Sequence, residues 1–231
     1  MDGVGVVIPA YNEAERIEAV LNAVLNASCV SQVVVVDDGS EDGTYDVVSK
    51  YAESDGVELT RLPSNRGKAM AVWVGVHHIR QSIVVMLDAD LIGLLPSHIE
   101  LLAEPIWLGE ADMTIGVFRK GRWVTDWSHR LAPSISGQRG MRRELLLKLP
   151  SPDGVGYGLE AFLNRWANRC GWRVKHIILE GVSHFTKEEK LGFAKALIAR
   201  SQMYWEIGKT FWYRFTTDGN EKRGDRPSDA P

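Results

Sequence analysis

Hydrophobic positions in the first part of the chain switch between the two spacings that distinguish strands from helices. A β-branched run from Val4 to Ile8 is followed by apolar residues that recur at helical spacing between Ile17 and Leu25. Asn12 and Glu15 resemble a capping box for this first helix. The same switch between strand and helix spacing recurs along the chain. It predicts strands at 33–36, 57–62 and 83–87 and helices at 44–51, at 68–79 and from 96 onward. Because alternating strands and helices form a parallel sheet covered on both faces, the pattern predicts an α/β fold.

Charged and reactive side chains follow directly after these predicted strands. They stand in four short segments, 9–13, 37–40, 63–68 and 88–90. In sheets of this kind ligands bind at the carboxyl ends of the strands. The positions of the four segments therefore predict one functional site along that edge of the sheet.

The second half of the chain is less regular and is basic at its start. The segment 119–148 holds eight Lys or Arg residues against two acidic ones, a local charge of +6. Helices are predicted at 159–170 and 188–215, and a strand at 172–179. We expect four regions: a regular half at 1–118, a less regular half of the same domain at 119–187, an aromatic-rich amphipathic C-terminal helix at 188–215, and a disordered tail at 216–231.

Composition places the chain among ordinary globular proteins. Of its 231 residues, 45% are hydrophobic and 25% are charged, and 27 basic residues against 30 acidic ones leave a formal charge of -3. A charge so near zero argues against nucleic acid as a partner. No apolar run approaches the ~20 residues that cross a bilayer, and the first residues lack the basic and apolar regions of a signal peptide. These features predict a cytoplasmic protein.

Asp88 and Asp90 form the motif with the most definite chemistry. They follow the apolar run 83–87 and are separated by one residue, so both carboxylates can turn toward one cation. Oxygen ligands suit Mg²⁺ or Mn²⁺, and such ions are commonly held by substrate phosphates as well. The alternative interpretation is a solvated turn after a strand.

Two further segments indicate contacts with a nucleotide. Asp37 and Asp38 end a strand, and adjacent carboxylates repel each other unless donors surround them. We take Asp38 as the ligand contact, with an Asx-turn before the next helix as the alternative. Gly67 and Lys68 open a helix, and a helix N-terminus with a lysine favours an anion. An ordinary exposed helix start is the alternative there.

Four motifs, in this order, resemble the nucleotide-sugar domain of family 2 glycosyltransferases. They are VIPAYNE at 7–13, VDDGSEDGT at 36–44, NRGK at 65–68 and LDAD at 87–90. The resemblance is firm over 1–118 and looser as far as 190, and it implies a nucleotide-sugar-binding half at 1–118 and an acceptor-binding half of the same domain at 119–187. It implies a GT-A fold, a Rossmann-like mixed and mostly parallel sheet of about seven strands with helices on both faces. It also implies a nucleoside diphosphate sugar as donor and Mg²⁺ or Mn²⁺ as cofactor.

The resemblance also implies roles for single residues. It assigns donor-nucleotide binding to Pro9, Tyr11, Glu13, Asp38, Lys68 and Asp88. The first three would line the base and ribose pocket. Asp38 would contact the base, Lys68 a donor phosphate, and Asp88 the ribose or the sugar. Asp90 is implied as the direct metal ligand. Because the metal neutralises the departing diphosphate, Asp88 and Asp90 are both implied as catalytic.

A looser likeness adds a third catalytic candidate. The segment GYGLE at 156–160 resembles the glycine-tyrosine-glycine-x-glutamate segment of glucosyl-3-phosphoglycerate synthases and related polyprenyl-phosphate transferases. This likeness implies that Tyr157 and Glu160 bind the sugar or the acceptor, or that Glu160 serves as a base. A glutamate that simply favours its helix N-terminus is the alternative interpretation.

The same relatives imply further acceptor and metal contacts. Small-Gly segments lie beside the donor sugar in them, which implies sugar or acceptor binding by Gly137 and Arg139, and Arg142 and Arg143 are further candidates for a phosphorylated acceptor. A solvated basic face is the alternative. His184 follows the last predicted strand and is implied as a second metal ligand, although a lone histidine is more often structural.

These features predict a metal-dependent glycosyltransferase that moves a sugar, with a UDP-sugar favoured, to a phosphorylated acceptor such as polyprenyl phosphate or a small phospho-acid. A nucleotidyltransferase is one alternative, although 9–13 is not the glycine-rich basic loop it would need. An inactive nucleotide-sugar-binding module is another. Aromatic and basic residues in 188–215 predict contact with either a second copy of the chain or the inner face of a membrane.

Overall fold

The computed structural model describes residues 3–118, 136–152 and 158–184. Within these ranges the strands are β1 Val4–Ala10, β2 Val30–Asp37, β3 Glu58–Arg61, β4 Ile83–Met86, β5 Leu91–Ile92, β6 Met113–Phe118, β7 Arg139–Arg142, β8 Val174–Leu179 and β9 Ser183–His184. The helices are α1 Ile17–Leu25, α2 Thr44–Ser54, α3 Lys68–His78, α4 Pro96–Trp107, α5 Arg143–Leu147 and α6 Leu159–Cys170.

Seven of these strands form one mixed sheet in the order β3-β2-β1-β4-β7-β6-β8. Strand β7 runs antiparallel to both of its neighbours, and the other pairings are parallel. Strands β5 and β9 pair separately as a short antiparallel ribbon. The parallel strands therefore share a carboxyl edge, where they end at Ala10, Asp37, Met86 and Leu179, and an amino edge, where they begin at Val4, Ile83, Met113 and Val174.

Two apolar cores cover the two faces of the sheet. Alternate residues of β1 divide between them, so that Val6 and Ile8 belong to one core and Val7 to the other. Helices α1 and α4 contribute to the first core, and α3 and α6 contribute to the second. A parallel sheet that is buried on both faces reads as a continuous apolar run. The predicted α/β fold with a mixed, mostly parallel sheet and helices on both faces is thus confirmed.

The structure departs from the sequence-based elements at the first helix and in the second half. The capping box is wrong, because α1 begins only at Ile17 and the Asn12 side chain instead accepts a hydrogen bond from the Glu41 amide. Strands β6 and β7 were not predicted. The predicted helix at 188–215 and tail at 216–231 lie outside the described residues. Among the helices that are described, none is long and apolar enough to span a bilayer.

Candidate functional site

The carboxyl edge gathers most of the residues singled out from the sequence. They lie at strand ends, in the loops that follow the strands, at helix starts and at the beginning of β7. These residues are Pro9, Tyr11, Glu13, Asp38, Lys68, Asp88, Gly137, Arg139 and Glu160. They come from both halves of the described chain. Their neighbourhood follows from the topology, since β7 starts at the edge where β1, β2 and β4 end.

Lys68 joins two carboxylates from distant parts of the chain. Its Nζ lies 2.6 Å from Oδ1 of Asp88 and 2.7 Å from Oε1 of Glu160, which is 92 residues away in sequence. Burial acts to lower the pKa of Lys68, but the two carboxylates outweigh it and raise that pKa above 10.5. An ammonium can donate three hydrogen bonds, and these carboxylates accept two. We call Lys68, Asp88 and Glu160 the lysine cluster.

Gly137 closes the lysine cluster on one side. A Cβ atom at this position would lie 2.3 Å from Nζ of Lys68 and 2.6 Å from Oδ2 of Asp88, closer than any real contact. The neighbouring Gln138 is fully buried and donates from Nε2 to the same Asp88 oxygen at 2.8 Å. Ser136 in turn donates to Oε1 of Gln138 at 2.8 Å. Lys68 thus bonds one oxygen of the Asp88 carboxylate, and the segment before β7 bonds the other through Gln138.

Arg139 lies behind the lysine cluster rather than on an open surface. Its side chain is 1% exposed, and Nη1 donates to Oδ1 of Asn164 at 2.7 Å. Burial lowers the pKa of Arg139 to about 10, with Glu160 and Asp88 acting in the opposite direction, so the guanidinium stays charged at neutral pH. This burial contradicts the solvated basic face that was the alternative for Arg139, and sugar or acceptor binding by this residue stays a prediction.

Arg142 and Arg143 do not belong to this site. Strand β7 pairs Arg139 with Met86 at the carboxyl edge and Arg142 with Ile83 at the amino edge, and three residues of strand span about 10 Å. Their side chains contact main-chain carbonyls there, from Arg142 to Ile106 and from Arg143 to Val76. The expectation that both arginines meet a phosphorylated acceptor beside the other site residues is wrong.

Asp38 organises the start of α3. Its two carboxylate oxygens accept the amide hydrogens of Arg66 and Gly67, each at 2.8 Å. The Asx-turn weighed for this segment is made by Asp37 instead, whose Oδ1 accepts the Ser40 amide at 3.0 Å. Asp38 therefore sets the position of the helix that carries Lys68.

The loops after β1 and β2 are joined by hydrogen bonds to each other. The amides of Asn12 and Glu13 donate to the hydroxyls of Ser40 and Thr44, and Asn12 adopts a left-handed φ of 56°. Tyr11 directly precedes these anchored residues and is 41% exposed. An exposed aromatic side chain beside an anchored loop suits stacking on a planar base.

The two predicted metal ligands are neighbours through the β5–β9 ribbon. Asp90 directly precedes β5, in which Leu91 pairs with His184 of β9. Among the side chains that the structure describes, no three His, Cys, Asp or Glu residues form a ready metal site. Mg²⁺ and its analogues often use only one or two protein carboxylates together with substrate phosphates. The oxygen donors after β4 fit such an ion.

Sequence reasoning missed two polar residues of the site, and one prediction cannot be placed. Tyr157 lies outside the described residues. Gln138 and Asn164 carry no charge and match no motif, so their types gave no signal. The contact of Gln138 with Asp88 becomes visible only when β7 is placed beside β4.

Comparison with known proteins identifies the family to which this chain is similar. The family model described as Glycosyl transferase family 2 matches residues 5–171. The dolichyl-phosphate beta-glucosyltransferase of Mus musculus is 40% identical over 97 residues, which cover 37% of this chain and 30% of that protein. The glucosyl-3-phosphoglycerate synthase of Mycobacterium tuberculosis strain H37Rv is 31% identical over 190 residues, covering 68% of this chain and 58% of that protein. The matches thus span less than two thirds of either relative.

Solved structures of the Mycobacterium tuberculosis synthase extend the similarity to three dimensions. Its complex with Mn²⁺ and UDP-glucose has a TM-score of 0.66 and 27% identity, and covers 90% of this chain and 79% of that chain. Its complex with Mn²⁺, UDP and glucosyl-3-phosphoglycerate has a TM-score of 0.64 and 29% identity, with coverage of 80% and 72%.

Proposed function

This chain belongs to glycosyl transferase family 2, and we propose that it transfers a sugar from a UDP-sugar to a phosphorylated acceptor with the help of Mg²⁺ or Mn²⁺. Its mixed seven-stranded sheet is the GT-A fold that the motifs imply. The observation that carries the proposal is the lysine cluster, in which Lys68 bridges Asp88 and Glu160 at the edge where such sheets bind ligands.

The loops at the carboxyl edge suit the two ends of a nucleotide sugar. The exposed ring of Tyr11 offers a stacking surface for the base. The lysine cluster offers one cationic donor and two carboxylate acceptors, and such groups can hold the hydroxyls of a sugar by hydrogen bonds. In this proposal the base lies near Tyr11, the second phosphate lies near Lys68, and the sugar lies near Asp88 and Glu160.

Charge balance supports the need for a divalent cation. Lys68 and Arg139 carry one positive charge each, and Asp88 and Glu160 one negative charge each, so these four groups sum to zero. The diphosphate of the donor therefore brings negative charge that they do not neutralise. Asp90, with His184 beside it in the β-ribbon, would hold the ion, which supplies Lewis-acid stabilisation of the leaving diphosphate when bound.

A phosphorylated acceptor agrees with the residues at this edge. A phosphate oxygen is already ionised at neutral pH, so it needs little help from a general base. Glu160 forms an ion pair with Lys68 at 2.7 Å. A carboxylate in such a pair is better suited to hold the sugar than to accept a proton. The relatives named above act on dolichyl phosphate and on 3-phosphoglycerate, and both of these carry a phosphate.

A transfer assay tests the proposal. UDP release from UDP-glucose with Mn²⁺ is measured alone, with 3-phosphoglycerate and with a short polyprenyl phosphate, and the glycosylated product is identified by mass spectrometry. We expect one phosphorylated acceptor to accelerate release and to receive the sugar. Asp90→Asn should remove the metal-dependent rate, whereas Arg142→Met, at the amino edge, should retain it.

Each other outcome identifies an alternative. Pyrophosphate release from UTP and a sugar phosphate, with no sugar transfer, would identify a nucleotidyltransferase. UDP-glucose binding in calorimetry without turnover on any acceptor would identify a binding module. The absence of any UDP-glucose binding in the presence of Mn²⁺ would overturn the proposed donor.

A further inference from the structure

Arg139 connects the central sheet to the helix that carries Glu160. Its Nε donates to the carbonyl of Ser136 at 2.9 Å, which holds the guanidinium beside the start of β7. Its Nη1 donates to the Asn164 side chain on α6 at 2.7 Å. The arginine backbone is itself fixed between two strands, because it pairs with Met86 of β4 and Ile115 of β6.

Asn164 and Glu160 lie on the same face of α6. They are four residues apart, which places one above the other along a helix. Glu160 stands in the first turn, and the N-cap, Gly158, supplies no side-chain hydrogen bond to that turn. A helix start without such a cap depends on contacts elsewhere to fix it. The Arg139–Asn164 hydrogen bond provides such a contact one turn away.

Because Arg139 is buried, the geometry of its hydrogen bonds is closely constrained. The Arg139 side chain is 1% exposed, and a buried guanidinium is stable only when its donors are paired and carboxylates lie near. Glu160 and Asp88 supply that negative charge, since both act to raise the Arg139 pKa against the effect of burial. Arg139 therefore attracts the same two carboxylates that Lys68 bonds.

We propose that Arg139 and Asn164 are positioning residues that hold Glu160 in contact with Lys68. Neither needs to touch the donor. Together they fix the start of α6 relative to β4 and β7, so that the two carboxylates of the lysine cluster keep one spacing. Only the catalytic consequence rests on the proposed function, because the geometry itself can be measured without any donor.

Chemical labelling of Lys68 measures the geometry directly. Only a neutral amine is acylated, and each unit by which its pKa falls raises the neutral fraction about tenfold. We expect Asn164→Ala and Arg139→Met to increase acetylation of Lys68 by acetic anhydride about three- to tenfold at pH 8, as measured by mass spectrometry. Lys175, paired with Glu110 at the amino edge, is the internal reference.

The variants separate positioning from general stability. Arg139→Lys retains a buried positive charge but cannot bond both Ser136 and Asn164, so its labelling should fall between those of wild type and Arg139→Met. Arg142→Met removes another arginine of the same strand, whose side chain contacts Ile106 at the amino edge. Labelling of Lys68 in this variant should equal that in wild type. Asn164→Ala keeps the buried arginine and serves if Arg139→Met does not fold.

Turnover gives the second readout. With UDP-glucose, Mn²⁺ and the acceptor found active, Asn164→Ala should lower kcat at least about tenfold while the Kd for UDP stays within about twofold, since a small displacement of a positioned group costs rate more than nucleotide affinity. Unchanged Lys68 labelling in folded Asn164→Ala would overturn this inference even if the enzyme turns over. A wild-type chain that binds no donor would overturn the proposed function and leave the labelling result to decide the positioning role.

Discussion

The two edges of the sheet hold ion pairs of similar length and very different surroundings. At the amino edge Arg173 lies 3.0 Å from Asp112 and Lys175 lies 2.6 Å from Glu110, and both pairs join the starts of β6 and β8. The lysine cluster at the carboxyl edge has similar distances, 2.6 Å and 2.7 Å. The Arg173 side chain is 57% exposed, however, whereas that of Glu160 is 13% exposed.

Burial, rather than distance, therefore decides what each pair does. Water screens the exposed pairs at the amino edge, and such pairs contribute little to stability. At the carboxyl edge the partners are screened less, and removal of one leaves the others without compensation in a confined space. Gly137 adds a steric restraint, because a side chain at this position would overlap the Lys68 ammonium and the Asp88 carboxylate. One edge carries ion pairs that water screens, and the other holds a fixed arrangement of charge.

The most severe test of this contrast is Gly137→Ala. The new methyl would occupy the space of Nζ of Lys68, so the lysine cluster must separate although no core residue changes. A displacement of about 1 Å in a catalytic site can cost ~100-fold in rate. We expect a loss of that size in sugar transfer, together with a lower Tm by calorimetry, because the separated charges are left without compensation.

A double variant provides the control for that loss. If Gly137→Ala acts by displacing Lys68, then adding it to Lys68→Met should lower the transfer rate little below that of Lys68→Met alone. The effects of substitutions at residues in contact are not additive. Additive losses in the transfer rate would show that the methyl acts elsewhere.

The next largest effect concerns Lys68 and pH. Lys68→Met should weaken UDP and UDP-glucose more than uridine monophosphate, by about 10- to 100-fold, because a charge-assisted hydrogen bond contributes roughly 1.5–3 kcal/mol. The pKa of Lys68 is raised above 10.5, so its charge and the stability it adds are fully present below that pH and are lost only as pH rises through the folded-state value. The loss measured with UDP-glucose, whose diphosphate has no terminal phosphate that titrates in this range, should thus be equal at pH 6 and pH 9. A loss that shrinks between them would place another titrating group at the phosphates.

A smaller effect, with the opposite dependence of stability on pH, is expected at the amino edge. The hydrogen bond from Arg173 lowers the pKa of Asp112 below 3.8. Its contribution to stability is therefore present above that pH and is lost as pH falls through the folded-state value. Asp112→Asn should reduce Tm slightly at pH 5, and the difference from wild type should shrink as pH falls below 3.8, as measured by calorimetry. A difference that stays constant as pH falls would mean that the carboxylate charge is not the cause.

The smallest effect is expected for Lys175→Met. This lysine pairs with Glu110 between two exposed side chains, so neither Tm at pH 7 nor UDP-glucose affinity should change beyond error. A measurable loss of donor affinity would show that the two edges are coupled and would weaken the contrast drawn between them.

The sequence predicted the donor half well because its elements follow simple periods. The strands β1, β2 and β4 and the helices α1 and α3 appeared within a few residues of their bounds, and the segments after them lie at one edge as expected. Strand β7 was missed because its sequence, RGMR, has no apolar alternation. Its burial is made possible by partners such as Asn164 and Ser136, which no local pattern reveals.

The same reason explains which site residues could be anticipated. Asp88, Lys68 and Glu160 belong to motifs, so their presence at the site was expected, but their mutual contact was not. Lys68 was expected at a phosphate, and the structure adds the two carboxylates that hold it. Gln138 follows no motif, and its role depends on an antiparallel pairing that brings it within 2.8 Å of Asp88.

The place of β7 in the sheet also bears on the order in which the site forms during folding. Asp38 meets the Gly67 amide across 29 residues, whereas Gln138 reaches Asp88 across 50 and Glu160 reaches Lys68 across 92. Contacts between distant residues must first overcome loop-closure entropy, and they form late. We therefore expect the nucleotide loops to be organised before β7 enters between β4 and β6, and the sugar end to be completed last. A folding chain would then recognise a nucleotide before it could hold the sugar attached to it.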